Sequence, residues 1–226
     1  MKSRALAPRR SMRALAVLAV SGILGLCLIA MAGCSTPSPT EITTKFLEAV
    51  KADDTGTIQE TYSGDQSGLF NVKDAVNNDG DNSASSDSND AAVNDSITNN
   101  LIPKLKEFDY EVSNETINGD SATVDIKVTT YAAGDACNSF ISDYLNQAFT
   151  LALSGASQDK IDSLATSIFD SKIKSMSKTY TDTATISLTK EEGKWKVDEI
   201  DPQSDTADVF LGGLVSSINT IKQTYN

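Results

Sequence analysis

The spacing of apolar residues along this chain switches between helical and strand periods, and each switch marks an element. Ile42, Phe46, Leu47 and Val50 recur at helical spacing, so one face of this first segment is apolar. Ser38 stands as N-cap, Pro39 at the first helical position and Glu41 three residues after the cap, the pattern of a capping box. Asp53-Asp54-Thr55-Gly56 ends that helix, and Ile58 to Tyr62 adds a short helical turn. Helical spacing returns from Ala91 to Phe108 through Val93, Ile97, Leu101 and Leu105, with Pro103 placed to kink or end it. The period then drops to two. Phe108, Tyr110 and Val112 alternate with polar residues, as do Ala122, Val124, Ile126 and Val128 with Thr123, Asp125, Lys127 and Thr129. Asn118-Gly119 between the two runs predicts a hairpin, because both residues tolerate positive φ.

The strongest helical signal follows. Cys137, Phe140, Ile141, Tyr144, Leu145, Ala148, Phe149, Ala152 and Leu153 keep the three-four spacing unbroken, with Asp135 as cap and Ser154-Gly155 as stop. A stripe this regular predicts burial, so Phe149→Asp is expected to cost on the order of 3 kcal/mol or more. Ser157 can cap a second helix carrying Ile161, Leu164, Ile168, Phe169, Ile173 and Met176. Tyr180, Asp182, Ala184, Ile186 and Leu188 restart the strand period, Glu191-Glu192-Gly193 turns the chain, and Lys194-Trp195-Lys196-Val197 pairs back. Asp205-Thr206-Ala207-Asp208 caps a last helix with Phe210, Leu211, Leu214, Val215, Ile218 and Ile221 on its apolar face. About four antiparallel strands with segregated helices, and a helical hairpin inserted between the strand pairs, predict one α+β domain over residues 39–226.

One stretch fits neither period. Residues 77–90 hold only Asn, Asp, Ser, one Gly and one Ala, a composition with nothing to bury. A flexible surface loop at about 77–96 is the expectation. Asp79, Asp81, Asp87 and Asp90 offer oxygens to calcium, yet their spacing lacks the acid–glycine–glutamate order of an EF-hand, so no metal site is assigned.

The N-terminus is a targeting segment and stands apart from the fold. Lys2, Arg4, Arg9, Arg10 and Arg13 precede an uncharged run from Ala14 to Ala32, which leads into Met31-Ala32-Gly33-Cys34 and then Ser35-Thr36-Pro37-Ser38-Pro39. Basic region, apolar region and small residues before a cysteine resemble a lipoprotein signal peptide over residues 1–33. Its lipobox departs from the commonest form, because Met31 stands where leucine is usual. On this reading Cys34 takes a diacylglycerol through its thiol, residues 34–38 form a lipidated tether, and the membrane is the first partner. The alternative is an uncleaved anchor, since 19 apolar residues nearly reach the roughly 20 that span a bilayer. Either way residues 35–226 lie outside the cytoplasm, with basic residues before the apolar run as the positive-inside rule requires. Arg9-Arg10 raises twin-arginine export, but its surroundings fit an ordinary basic leader better.

Removing the leader alters the charge. The full chain carries −12; the leader holds five basic residues and no acid, so the remainder carries −17. Such a chain repels nucleic acid, which is excluded as a partner. There is no histidine, which removes the usual general base and most transition-metal ligand sets. No catalytic residue, metal ligand or cofactor is assigned. Cys27 leaves with the leader and Cys34 is acylated, so Cys137 stands alone without a disulfide partner. It falls on the apolar stripe of the long helix and reads as a small core residue rather than a reactive thiol.

The order of these segments resembles exported lipoproteins of Gram-positive bacteria that carry an NTF2-like or cystatin-like domain of uncharacterised function. The likeness rests on Pro39-Thr40-Glu41 through Phe46-Leu47-Glu48-Ala49-Val50, on the hairpin around Ala148-Phe149-Thr150-Leu151-Ala152-Leu153, and on Glu192-Gly193-Lys194-Trp195-Lys196-Val197. It implies a curved sheet wrapped on helices, often with a concave pocket, and implies no reaction. Trp195 could line such a pocket or pack in the core. Enzymes of this fold pair an acid with a tyrosine, and Asp109, Tyr110, Asp125, Tyr131 and Asp182 are the residues to inspect, Asp182 first because it runs in phase with Ala184 and Ile186. The expectation is a membrane-tethered, non-enzymatic domain on the cell's outer face that binds an envelope protein, a peptide or a small molecule. The alternatives are a small-molecule carrier or enzyme using the pocket, and a spacer with no ligand.

Overall fold

In the computed structural model, which describes residues 36–65, 72 and 88–225, α1 (Pro39–Ala52) and α2 (Thr55–Thr61) come first. Then follow α3 (Ser88–Ser96), a π-helical turn (Ile97–Leu101) and α4 (Ile102–Lys106). β1 (Asp109–Asn118) and β2 (Ser121–Thr130) lead into the paired helices α5 (Ala133–Leu153) and α6 (Gln158–Ser175). β3 (Tyr180–Glu191), β4 (Lys194–Val197), α7 (Asp205–Phe210) and α8 (Leu214–Tyr225) complete the order. The strands form one antiparallel sheet, β1-β2-β3-β4, with the α5–α6 hairpin inserted between β2 and β3. The fold is the α+β arrangement that the periods predict. Among the described residues no helix is long and apolar enough to cross a membrane.

One face of the sheet carries the core. Ala122, Val124, Ile126 and Val128 of β2 are buried, and register places Val124 opposite Ile186 and Ala122 opposite Leu188 of β3. Phe46, Leu47 and Val50 of α1 and Val209 and Phe210 of α7 belong to the same cluster. Fully burying each such side chain is worth about 1.5–3 kcal/mol. Trp195 is 5% exposed, so it packs in this core, with the Lys190 ammonium 5.2 Å from its ring centroid. The opposite face is threonine-rich and wet: Thr123, Thr183, Thr185 and Ser187 are exposed.

α1 begins as its capping box requires: the Glu41 amide donates to Ser38 Oγ, and the Ser38 amide donates to the Glu41 carboxylate. Its position along the sheet is set at both ends. The Thr40 amide donates to Glu115 at 2.8 Å, and Lys106 pairs with Asp53 after the last turn. Glu115 stands where the β1–β2 register shifts between Ser113 and Thr116, beside Asn114 at φ 53°, a bulge that re-aims the side chain. The hydrogen bonds from Thr40 hold the Glu115 carboxyl below the ordinary value of 4.5. A depressed folded value means stabilisation fully present above the unfolded pKa and lost as pH falls through the folded one. Glu115→Gln should remove this part of the acid dependence, read as a flatter melting-temperature profile below about pH 4.5.

Four local expectations change. The loop expected at about 77–96 ends earlier, because Ser88–Ser96 is helical; residues 77–87, with Asp79, Asp81 and Asp87, lie outside the described residues. Pro103 neither ends nor sharply breaks its helix. The preceding turn widens to a π-helix, which accommodates a residue that has no N–H and whose ring crowds the carbonyl four residues back. Asp135 is not the cap of α5: Ala132 occupies that position, and Asp135 lies in the first turn. The last helix is two helices. Gly212 and Gly213 both take positive φ and divide it, Ser204 caps α7, and Asp208 instead accepts from the Ser216 amide at 3.1 Å inside α8.

The burial expected for the long stripe fails in its outer half. Leu145, Phe149 and Leu153 are 46%, 67% and 74% exposed. α5 has 21 residues, about 31 Å of helix, which outruns the body beneath it. Phe149→Asp should therefore shift stability by no more than about 0.5 kcal/mol, as for other surface sites. A urea denaturation midpoint within error of the parent is the expected result.

Candidate functional site

The hairpin is fastened at its base by a close backbone approach. The Gly134 amide donates to the Gly212 carbonyl at 2.9 Å, and a Cβ on Gly134 would fall 2.4 Å from the Gly213 carbonyl oxygen. Only glycine lets α5 start so near the α7–α8 break. Further out, aromatic rings hold the two helices together. Phe140 meets Phe169 edge-on at 5.6 Å and stacks on Tyr144 at 5.9 Å. Lys172 of α6 pairs with Asp143 of α5 at 2.6 Å, and Ser96 of α3 donates to Asp170 of α6.

Between these fastenings the walls do not close. A cleft of about 380 Å³ lies among α3, the π-helical turn, α5, α6 and α8, with Val72 also on its wall. Ile97 and Leu101, then Cys137, Phe140 and Ile141, then Phe169 and Ile173, then Ile218 and Ile221 supply apolar walls. Lys172 and Lys222 are the charged residues among the described residues that line it. Cys137 is thus a wall residue, half-buried and packed against the core rather than inside it, and burial pushes its thiol above the ordinary value. A thiol so placed is mostly protonated at neutral pH and behaves as a small apolar group.

The residues singled out for acid–tyrosine chemistry do not gather. Asp109 pairs with Lys178 at 2.7 Å. The Tyr110 hydroxyl donates to Glu48 at 2.7 Å, and burial together with that carboxylate raises its pKa well above the ordinary phenol range. Tyr131 donates to Glu107 at 3.1 Å. Asp125, on the wet face, accepts from Thr185 and Asn114, which hold it below the usual carboxylate range. Asp182 is exposed despite its phase with Ala184; it accepts from the Tyr180 hydroxyl at 3.3 Å. None of the five lines the cleft.

Sequence reading missed the cleft because its wall residues carry the same helical periodicity as a packed core. One signal was present. From Tyr144 to Gln158 the chain has no charged residue, in a sequence with 31 acids and 19 bases. That is an unusual composition for a helix tip facing water.

No family model and no curated protein matches this chain. A solved structure is similar: a candidate lipoprotein, ycdA, of Bacillus subtilis, with a TM-score of 0.51 and 16% identity over 79% of this chain. The match covers 56% of that protein, so this chain spans little more than half its length. At this identity the two share a fold.

Proposed function

We propose that this chain is exported, acylated on Cys34 and displayed on the outer face of the cell membrane as a non-enzymatic binding domain. The observation that carries the reading is the apolar cleft of about 380 Å³ between the hairpin and α8, within the roughly 300–1,000 Å³ range of small-ligand sites. The leader, with Ala32-Gly33 before Cys34, supports the address. The fold shared with a candidate lipoprotein agrees with it, as does the resemblance to NTF2-like exported lipoproteins. Within this reading a small-molecule carrier is favoured over a peptide binder, because the walls offer a peptide backbone almost no hydrogen-bonding groups.

Metabolic labelling with an alkyne fatty acid should mark the wild-type protein in the membrane fraction. Cys34→Ala should take up no label and should lose the acyl anchor. Label retained by that variant would show that another residue is the attachment point.

A further inference from the structure

We infer that the outer face of α5, through Leu145, Phe149 and Leu153, lies in the surface of the bilayer that holds the lipid on Cys34. The inference rests on the membrane-address reading and adds a second contact to it. Leu145, Phe149 and Leu153 are three of the four exposed large hydrophobic residues among the described residues. They stand four positions apart and so form one ridge along the last turns of α5. Phe140 meets Phe169 of α6, and Phe149 follows Phe140 by about two and a half helical turns. The ridge therefore points away from α6 and from everything that α6 packs against.

A bilayer suits this ridge better than a protein partner does. From Tyr144 to Gln158 there is no charge, so sinking the outer turns of α5 carries no ion out of water. Charges resume at once on α6, with Asp159, Lys160 and Asp162. An uncharged helix backed by a charged one fits a hairpin lying in the plane of the membrane, its apolar side about 5–10 Å deep. Crossing is a different matter, since no helix among the described residues is long and apolar enough for it. The tip also closes its own polar groups. The Thr150, Leu151 and Ala152 carbonyls accept from the Ser154, Ala156 and Gly155 amides at 3.0–3.2 Å. The Ser154 and Thr150 hydroxyls donate to the Leu151 and Asn146 carbonyls at 2.7 and 2.9 Å. Carbonyls at a helix end ordinarily rely on water, and groups entering lipid must be satisfied internally. The apolar surface of the ridge, on the order of a few hundred Å², is small for a specific protein interface, which buries roughly 800 Å² per partner with matched shape. A fluid bilayer demands no matched shape. Residues 34–38 reach about 17 Å at most, so the tethered body stays beside the membrane and a shallow contact suffices.

The test uses the full-length lipoprotein in phosphatidylcholine liposomes. Cys137→Ala removes the remaining thiol, and Ala152→Cys, at an exposed position beside the ridge, carries a nitrobenzoxadiazole dye. Its emission should shift to the blue, and lipids with a nitroxide high on the acyl chain should quench most of it. The same dye on Ser167→Cys, on the side of α6 away from α5, should show neither effect. Adding Phe149→Asp and Leu153→Asp should abolish quenching at position 152 and leave the melting temperature unchanged, because both sites are exposed. Equal quenching at the two dye positions, or none at either, would overturn the inference. A blue shift without quenching, accompanied by cross-linked dimers, would mean that a second copy covers the ridge and would overturn it too. Intact mass of the same sample reports separately on Cys34. An acylated protein with an unquenched dye keeps the address and loses the contact; an unacylated protein with a quenched dye does the reverse.

Discussion

Gly212→Ala should cost on the order of 4 kcal/mol or more, a large part of the roughly 5–15 kcal/mol that holds a typical domain together. Gly212 has φ 62°, where an L side chain is strained by about 1–2 kcal/mol. Steric overlap costs more than this strain. An added Cβ would lie 2.0 Å from the Tyr131 carbonyl oxygen and 3.0 Å from the Ala133 amide nitrogen. Both are backbone atoms, so no rotamer change relieves the overlap. Moving the segment away breaks the Gly134–Gly212 hydrogen bond that seats the hairpin. Thermal unfolding followed by circular dichroism should show a fall of about 10 °C or more. Gly119→Ala is the control, since Gly119 has φ 63° but nothing within 4 Å of its added Cβ. It should cost about 1 kcal/mol, from backbone strain alone. Equal losses in the two variants would mean that the close approach contributes nothing.

Phe108→Ala should cost about 3–5 kcal/mol, the range for truncating a buried aromatic residue. Phe108 is fully buried immediately before β1, where three elements meet. Its ring stands edge-on to Phe210 of α7 at 5.2 Å and tilted to Tyr110 at 6.0 Å, and the Lys51 ammonium of α1 lies 5.6 Å from its centroid. Truncation removes the transfer energy of the ring and leaves a cavity that side chains from α1 and α7 cannot both collapse into. Chemical denaturation should show a lower midpoint with an unchanged slope, as for a loss of native stability alone. Phe149→Ala, the same change on the exposed half of α5, should move the midpoint hardly at all. A similar loss at both positions would refute the burial difference between them.

Local patterns made most of the fold legible. The alternation in β2 and β3, the Asn118-Gly119 turn and the Ser38–Glu41 capping box each depend on a few neighbouring residues, and each stands as read. The errors fell where a distant partner decides. Whether Phe149 is covered depends on where other elements end, and periodicity carries no record of that. The division between α7 and α8 comes from two adjacent glycines held at positive φ by Asp208, Tyr180 and the start of α5, while the apolar spacing runs through them unchanged. The cleft was the least legible feature. A residue facing a void and a residue facing a packed neighbour have the same chemistry, and the difference lies only in how five helical segments converge.

The two ends of the sheet carry different attachments. Thr40 sits beside Glu115 at the β1–β2 turn, whereas α5 and α6 leave and rejoin the sheet beyond Thr130 and Tyr180, where β2 and β3 pair at the other end. Glu115 lies across from the stretch of β2 between Thr123 and Asp125, so five to seven residues of strand, roughly 17–24 Å, separate the start of α1 from the hairpin base. On the proposed reading, in which Cys34 carries the lipid, lengthening residues 34–38 should widen the reach of the domain from the membrane without altering the walls of the cleft.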